Sequence, residues 1–123
     1  MHDCPLTSGI FATVKKMLGP SVDDSEFDMD IRIHINSVLG ILNQLGVGPP
    51  DGFVVIDGTE TWEDFLGSDK RFEMVKTFMY LKTKIVFDPP TSSILMQALE
   101  KQAAEYEWRI CNQNGGEEGG KAP

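Results

Sequence analysis

Apolar residues recur at three- and four-residue intervals in four segments of the chain, and this periodicity predicts four main helices. The first helix spans Ile10 to Leu18 and stops at Gly19-Pro20. The second runs from about Ser25 to Leu45, with acidic residues in its first turn and Gly46 as a left-handed C-terminal cap. The expected fold class is therefore mainly α, a small helical bundle.

The third helix is expected from about Asp69 to Phe87, with Ser68 as its N-cap, and it ends where Asp88-Pro89-Pro90 restricts the backbone. Its apolar positions, Val86 among them, span about half of the circumference, which places this helix at the centre of the bundle. The fourth helix should reach about Cys111. Its predicted core stripe consists of Leu95, Leu99, Ala103, Tyr106 and Ile110.

A single helical domain of residues 1–112 is expected, followed by a flexible tail. Residues 113–123 are rich in glycine and glutamate and contain too little apolar surface to pack, so we expect them to be disordered.

A long connection joins the second and third helices. Two turn sequences, residues 48–52 and Asp57-Gly58, surround a β-prone run from Phe53 to Ile56. This run is either a short β segment that pairs with the same segment of a neighbouring subunit or an extended loop over the helices. Thr61 should cap a single helical turn that ends at Gly67.

The second helix carries more apolar surface than one core-facing stripe requires. Met29, Ile33 and Gly40 lie nearly opposite the stripe that faces the core. Such a helix either crosses the middle of a bundle or contacts another subunit, and a domain of this size has few middle positions. Met29 and Ile33 are therefore candidate residues of a subunit interface, whereas His34 is expected to be packed and hydrogen-bonded.

Charge excludes general binding to nucleic acid or anionic membranes. The 123 residues include 19 acidic and 11 basic side chains, a formal net charge of −8. Eleven of the acids and three of the bases fall in residues 1–66, so the negative charge is expected at one end of the molecule. Neither a run long enough to cross a bilayer nor a signal-peptide pattern is present, so we expect synthesis in the cytoplasm and no membrane.

No pattern for catalysis, metal binding or cofactor binding stands out. Cys4 and Cys111 lack CxxC spacing and are interpreted as reduced thiols, and the acidic run from Asp23 to Asp30 lacks the spacing of a calcium loop. The glycines match neither the dinucleotide fingerprint nor the P-loop. We expect no enzyme, no metal and no cofactor, although carboxylates paired across the fold would escape such a search.

Basic residues concentrate on the third helix. Lys70, Lys76 and Lys84 lie on the face opposite its apolar half. This face is either simply solvated or pairs with the acidic first half of an identical neighbour, a head-to-tail contact that builds rings or filaments. Trp108 points away from the core stripe of the fourth helix, beside Arg109, and is a candidate interface anchor.

Several segments, in this order and spacing, resemble the small head-tail connector (adaptor) proteins of long-tailed bacteriophages, of the type found in siphophages and prophages of Firmicutes. They cover most of residues 10–112 and contain no chemical motif. The segments are TVKKMLG at 13–19, HINSVLGILNQLGVG at 34–48, TWEDFL at 61–66, VKTFMYLK at 75–82, FDPPTSS at 87–93 and EYEWR at 105–109.

The resemblance implies a structural virion protein without enzymatic activity, located in the neck. Such a subunit forms a ring, usually dodecameric, that docks beneath the portal vertex, carries the stopper or tail-completion protein and lets DNA pass through its lumen. Loops on a rigid frame suit contacts with other components. We therefore expect those contacts at Phe53, Val55, Asp57, Trp108 and Arg109.

Two other classes of protein share some of these features. A small acidic regulatory or antitoxin-like module would be a monomer or dimer and would bind one protein target. A carboxylate-based hydrolase would need a concave pocket with two or more acids of perturbed pKa.

Overall fold

The computed structural model describes residues 7–19 and 25–112, and this part of the chain is mainly helical. The predicted disorder of residues 113–123 falls outside these ranges. The helices are α1 (Ile10–Leu18), α2 (Asp28–Gln44, preceded by a 3-10 turn over Ser25–Phe27), α3 (Trp62–Leu66), α4 (Phe72–Phe87) and α5 (Ser93–Asn112). The prediction of four main helices and one helical turn is confirmed.

Glycine ends α2 as predicted. Gly46 has φ +87°, and the backbone N–H of Gly46 donates to the carbonyl of Asn43 at 3.1 Å. The N–H of Val47 then donates to the carbonyl of Leu42 at 2.9 Å, which completes a Schellman motif. Val47 is buried by this turn, so the chain leaves α2 in a fixed direction.

The prediction that Ser68 caps the third helix is wrong. The side chain of Asp69 accepts a hydrogen bond from the backbone N–H of Arg71 at 2.8 Å, and this turn delays α4 until Phe72. By contrast, Thr61 caps α3 as predicted. Its hydroxyl accepts from the N–H of Asp64, whose carboxylate accepts from the N–H of Thr61, a capping box.

The core is built around α4, which packs against α1, α2 and α5. Its buried Val75, Phe78 and Met79 meet residues from the other helices, and Trp62 from α3 is also fully buried. Most of the remaining core side chains come from α1 and α2. They are Ile10, Val14, Leu18, Ile31, Ile35, Val38, Leu39 and Leu42.

Polar contacts show that α4 runs antiparallel to both α2 and α5. The ring Nε2 of His34 lies 3.1 Å from the carbonyl oxygen of Lys82, and the ring also packs edge-on against Phe87. At the other end of α4, Arg71 bonds to the carbonyls of Gly46 at 3.4 Å and Ile110 at 3.2 Å. His34 is thus packed and hydrogen-bonded, as predicted.

Candidate interaction surfaces

The connection after α2 runs back along the helix it has just left. Asn43 donates to the carbonyl of Pro49 at 3.4 Å. Two turns earlier on α2, the side-chain amide of Asn36 makes two hydrogen bonds with the backbone of Val55. It donates to the Val55 carbonyl at 3.0 Å and accepts from the Val55 N–H at 2.7 Å. Side chains of α2 therefore hold this segment as an extended loop, and residues 52–55 form no strand.

The tip of the loop is organised around two carboxylates. Glu60 accepts from the backbone N–H groups of Ile56 at 2.8 Å, Gly58 at 3.1 Å and Asp57 at 3.4 Å. The carboxylate of Asp57 accepts from the hydroxyl of Thr59 at 2.7 Å and from its N–H at 3.0 Å. These bonds hold the pKa of Asp57 below its ordinary value, so this exposed tip is anionic.

The loop presents different residues from those predicted. Val55 is buried, and the ring of Phe53 packs against the ring of Phe65 with centroids 5.2 Å apart. Since side chains alternate along an extended segment, Val54 and Ile56 point outward instead. Val55 is a core residue and the partly buried Phe53 packs against the core. The alternation of side chains within the run Phe53 to Ile56 is the sequence signal that distinguishes these two inward residues from the two outward ones.

The second apolar patch of α2 is exposed, as its position opposite the core stripe predicts. Met29 and Ile33 lie one turn apart beside the loop, which Arg32 holds through a 2.7 Å bond from Nη1 to the carbonyl of Ile56. Met29, Ile33, Val54 and Ile56 are between 52% and 67% exposed. We call these four residues the acidic-rimmed strip, because Asp30 and Asp57 flank them, while Asp28 beside Met29 pairs with Lys15 at 2.6 Å.

The predicted basic face of α4 is not continuous. Lys76 is buried, with its Nζ 3.1 Å from the carboxylate of Glu73 and 5.0 Å from the centroid of the Phe72 ring. Lys84 pairs with Asp88 at 3.1 Å, and Lys70 is exposed in the turn before α4. The four-carbon stem of Lys76 lets it lie inside the fold while its ammonium reaches a carboxylate, which helical spacing alone does not reveal.

Trp108 is half-buried rather than turned fully to solvent. It lines a groove in which the end of α5 meets the end of α2, together with Leu45, Ala104 and the exposed Cys111. Arg109, one residue on, is exposed and pairs with Glu105 at 2.8 Å. Trp108 and Arg109 are thus adjacent in sequence, but Trp108 lines a groove whereas Arg109 is exposed to solvent.

A second exposed apolar surface lies where α4 turns into α5. Leu95 was predicted in the core stripe of the fourth helix and Val86 on the apolar face of the third, and both predictions are wrong. Val86, Ile94 and Leu95, which we call the hairpin tip, are between 55% and 76% exposed. Residues 93–102 include none that is buried, so the first half of α5 extends past the core.

Arg71 joins the ends of three helices. Its guanidinium forms a 2.7 Å ion pair with Asp69 and donates to the carbonyls of Gly46, just past the end of α2, and of Ile110, in the last turn of α5. The residue is only 6% exposed. The hydrogen bond from Arg71 lowers the pKa of the Asp69 carboxyl, against an opposing effect of burial. Sequence analysis missed this cluster because its partners are separated by 25 and 39 residues.

The described residues contain no group of three or more His, Cys, Asp or Glu side chains arranged to hold a metal ion. Within the same ranges, no helix combines the length and apolar character needed to span a membrane.

Comparison with known proteins identifies the family. No curated protein and no solved structure matches this chain. The model of the family described as phage connector protein matches residues 10–117, a range that contains all five helices. The chain therefore belongs to the phage connector protein family, a structural family of bacteriophage head-tail connectors.

Proposed function

We propose that this protein is a ring-forming head-tail connector that docks to the portal vertex and joins the DNA-filled capsid to the tail. The match of residues 10–117 to the connector family carries the proposal. Its proposed partners are further copies of itself, the portal protein and a stopper or tail-completion protein, and its place is the neck of the virion.

The surface supports a role in assembly. Within residues 7–19 and 25–112, seven large apolar side chains are more than half exposed, and they fall into two groups, the acidic-rimmed strip and the hairpin tip. Single exposed apolar residues are ordinary, whereas grouped ones mark sites of protein contact. A rigid helical frame that leaves two such groups uncovered suits a subunit whose partners complete it.

The charge supports DNA as passing cargo rather than as a ligand. A net charge of −8 repels phosphate, so a lumen lined by this protein would not retard the exiting genome. We propose no enzymatic activity and no cofactor, in keeping with the structural role of the family.

Contacts with other neck components are proposed at the loop tip and at the end of α5. Val54, Ile56 and Asp57 present an apolar and anionic surface on a loop that Asn36 and Glu60 hold rigid. Trp108 lines a groove and Arg109 offers an exposed cation at the far end of α5. Met29, Ile33 and Lys70 are the exposed members of the proposed subunit interface, to which Lys84 contributes from its pair with Asp88.

A tail-joining assay tests this function. Heads assembled in cells that lack this protein should package DNA but remain without tails, and adding the purified protein to them together with free tails should restore tailed particles. The matched pair Ile56→Asp and Lys16→Gln lowers the net charge by one in each case, on the loop tip and on exposed α1. Only the loop variant should fail. Tailed, infectious particles formed without the protein would overturn the proposal, and a one-to-one complex with a host protein would favour the antitoxin-like alternative.

A further inference from the structure

The first half of α5 is a helix that its own chain does not cover. Residues 93–102 form nearly three turns without one buried residue, and Met96 and Leu99 are only partly shielded. A short helix with one weakly covered face is marginal in water, because tertiary packing supplies most of its stability. Ile94 and Leu95 are exposed in the first turn of this segment, and Val86 is exposed in the last turn of α4, just before the chain turns into α5. The hairpin tip therefore has the exposed apolar surface expected of a site that contacts another molecule.

The acidic-rimmed strip is an uncovered surface on different elements. It consists of one face of α2 and of the loop that Asn36 and Arg32 hold against that helix. Its rim is negative because the carboxylates of Asp30 and Asp57 are exposed, whereas Asp28 is paired with Lys15 at 2.6 Å. Two copies of the strip brought face to face would oppose like charges, which disfavours pairing of the strip with itself.

The hairpin tip offers the opposite charge. Lys101 is exposed and lies two turns after Ile94 on the same side of α5. None of the ion pairs formed among the described residues involves Lys101. An apolar tip with a free cation is complementary to an apolar strip with an anionic rim.

We propose that the hairpin tip of one subunit docks onto the acidic-rimmed strip of the next copy of this chain. Ile94 and Leu95 then cover Met29, Ile33 and Ile56, and Lys101 faces the acidic rim. The contact uses two different surfaces of each subunit, so each subunit binds two neighbours, one through the tip and one through the strip, as a closed ring requires. This inference rests on the proposed ring and specifies which surfaces build it.

Cross-linking of two single-cysteine proteins tests the pairing. In a background with Cys4→Ser and Cys111→Ser, one protein carries Ile33→Cys and the other carries Leu95→Cys. A short bifunctional maleimide should give a covalent dimer in the mixture and little in either protein alone. The chain that carries both cysteines should give a ladder of multimers. Gln44→Cys, exposed at the end of α2 and so at the opposite end of the bundle from the hairpin tip, replaces Leu95→Cys as the matched control and should not cross-link to Ile33→Cys.

A charge substitution at the tip gives an independent readout. Leu95→Asp should raise the protein concentration needed for assembly by about tenfold or more, as expected for an anchor at the centre of an interface. Lys101→Glu should have a smaller effect that shrinks as salt is added, because its contribution is electrostatic. Far-UV circular dichroism of both variants should match that of the parent, since neither residue is buried.

The outcomes separate this inference from the proposed function. Rings that form while Ile33→Cys and Leu95→Cys fail to cross-link would overturn the pairing and leave the connector role in place. Dimers of Ile33→Cys with itself would show that the strip pairs with itself, and cross-links from Leu95→Cys to the portal protein would show that the portal covers the tip. Each result contradicts the inference. A protein that stays monomeric both alone and with the portal would overturn the inference and the proposed ring together.

Discussion

Replacing Arg71 by alanine should destabilise the fold more than any surface charge change. The substitution leaves the carbonyls of Gly46 and Ile110 without their donor and removes the ion pair of Asp69. Removing one partner of a buried ion pair lowers the free energy of unfolding by about 3–5 kcal/mol. Each hydrogen bond that is lost accounts for about 1 kcal/mol of this decrease. Because Asp69 keeps 22% of its side chain exposed and can be hydrated, we expect a loss of about 3 kcal/mol, at the lower end of that range.

Urea unfolding followed by far-UV circular dichroism measures this loss, and for a chain of this size it corresponds to a fall in Tm of about 10 °C. Arg109→Ala is the matched control, since its ion pair with Glu105 lies at the surface with side chains 51% and 55% exposed. It should cost less than about 0.5 kcal/mol. Arg71→Lys should recover only part of the stability, because an ammonium lacks the planar fork that reaches three partners. Equal losses for Arg71→Ala and Arg109→Ala would refute the role of Arg71 as the link between helix ends.

Three further variants probe other parts of the fold. Thr13→Val removes the acceptor of the buried Trp62 Nε1–H, a bond of 3.1 Å, and should cost about 1–3 kcal/mol in the same unfolding assay, whereas an unchanged midpoint would show that this indole needs no partner. Gly48→Ala should be more destabilising than Gly46→Ala, because both have φ near +87° but only the Gly48 Cβ would collide with a ring; equal losses would contradict the packing seen here. Asp69→Asn tests the lowered pKa. A carboxyl whose pKa is depressed in the folded state adds stability above its unfolded pKa of 3.8 and loses it as pH falls through the folded value. The stability gap between the parent and Asp69→Asn should therefore narrow below about pH 4, and a gap independent of pH would contradict the ion pair.

Local signals predicted most of the secondary structure. The bounds of α1, the glycine cap of α2, the Thr61 capping box and the end of α4 all depend on residues within a few positions of each other. The start of α4 was predicted too early, because the side chain of Asp69 accepts a hydrogen bond from the backbone N–H of Arg71. Aspartate also favours helix starts, so the two local roles of this residue compete. The sequence therefore predicts a helix end well when the residue at that end has a single hydrogen-bonding role.

The candidate surfaces were harder to predict because they depend on where the chain stops covering itself. Met29 and Ile33 were identified, since their exposure follows from the angle around α2. Leu95 fits a core stripe by its angle around α5, yet it is exposed because the core ends before it. Lys76 shows the reverse, a basic side chain drawn inside by the Phe72 ring and Glu73. The periodicity of apolar residues shows which side of a helix faces the core. It carries no information on how far along the helix the packing neighbours extend.

The most direct test of the ring is the mass of the purified protein in solution. Light scattering should be measured on the protein alone and after mixing with the portal protein of the same phage. A species of ring size in either sample is the result expected for a head-tail connector. A mass that stays at one or two subunits in both samples would contradict the ring and its docking to the portal.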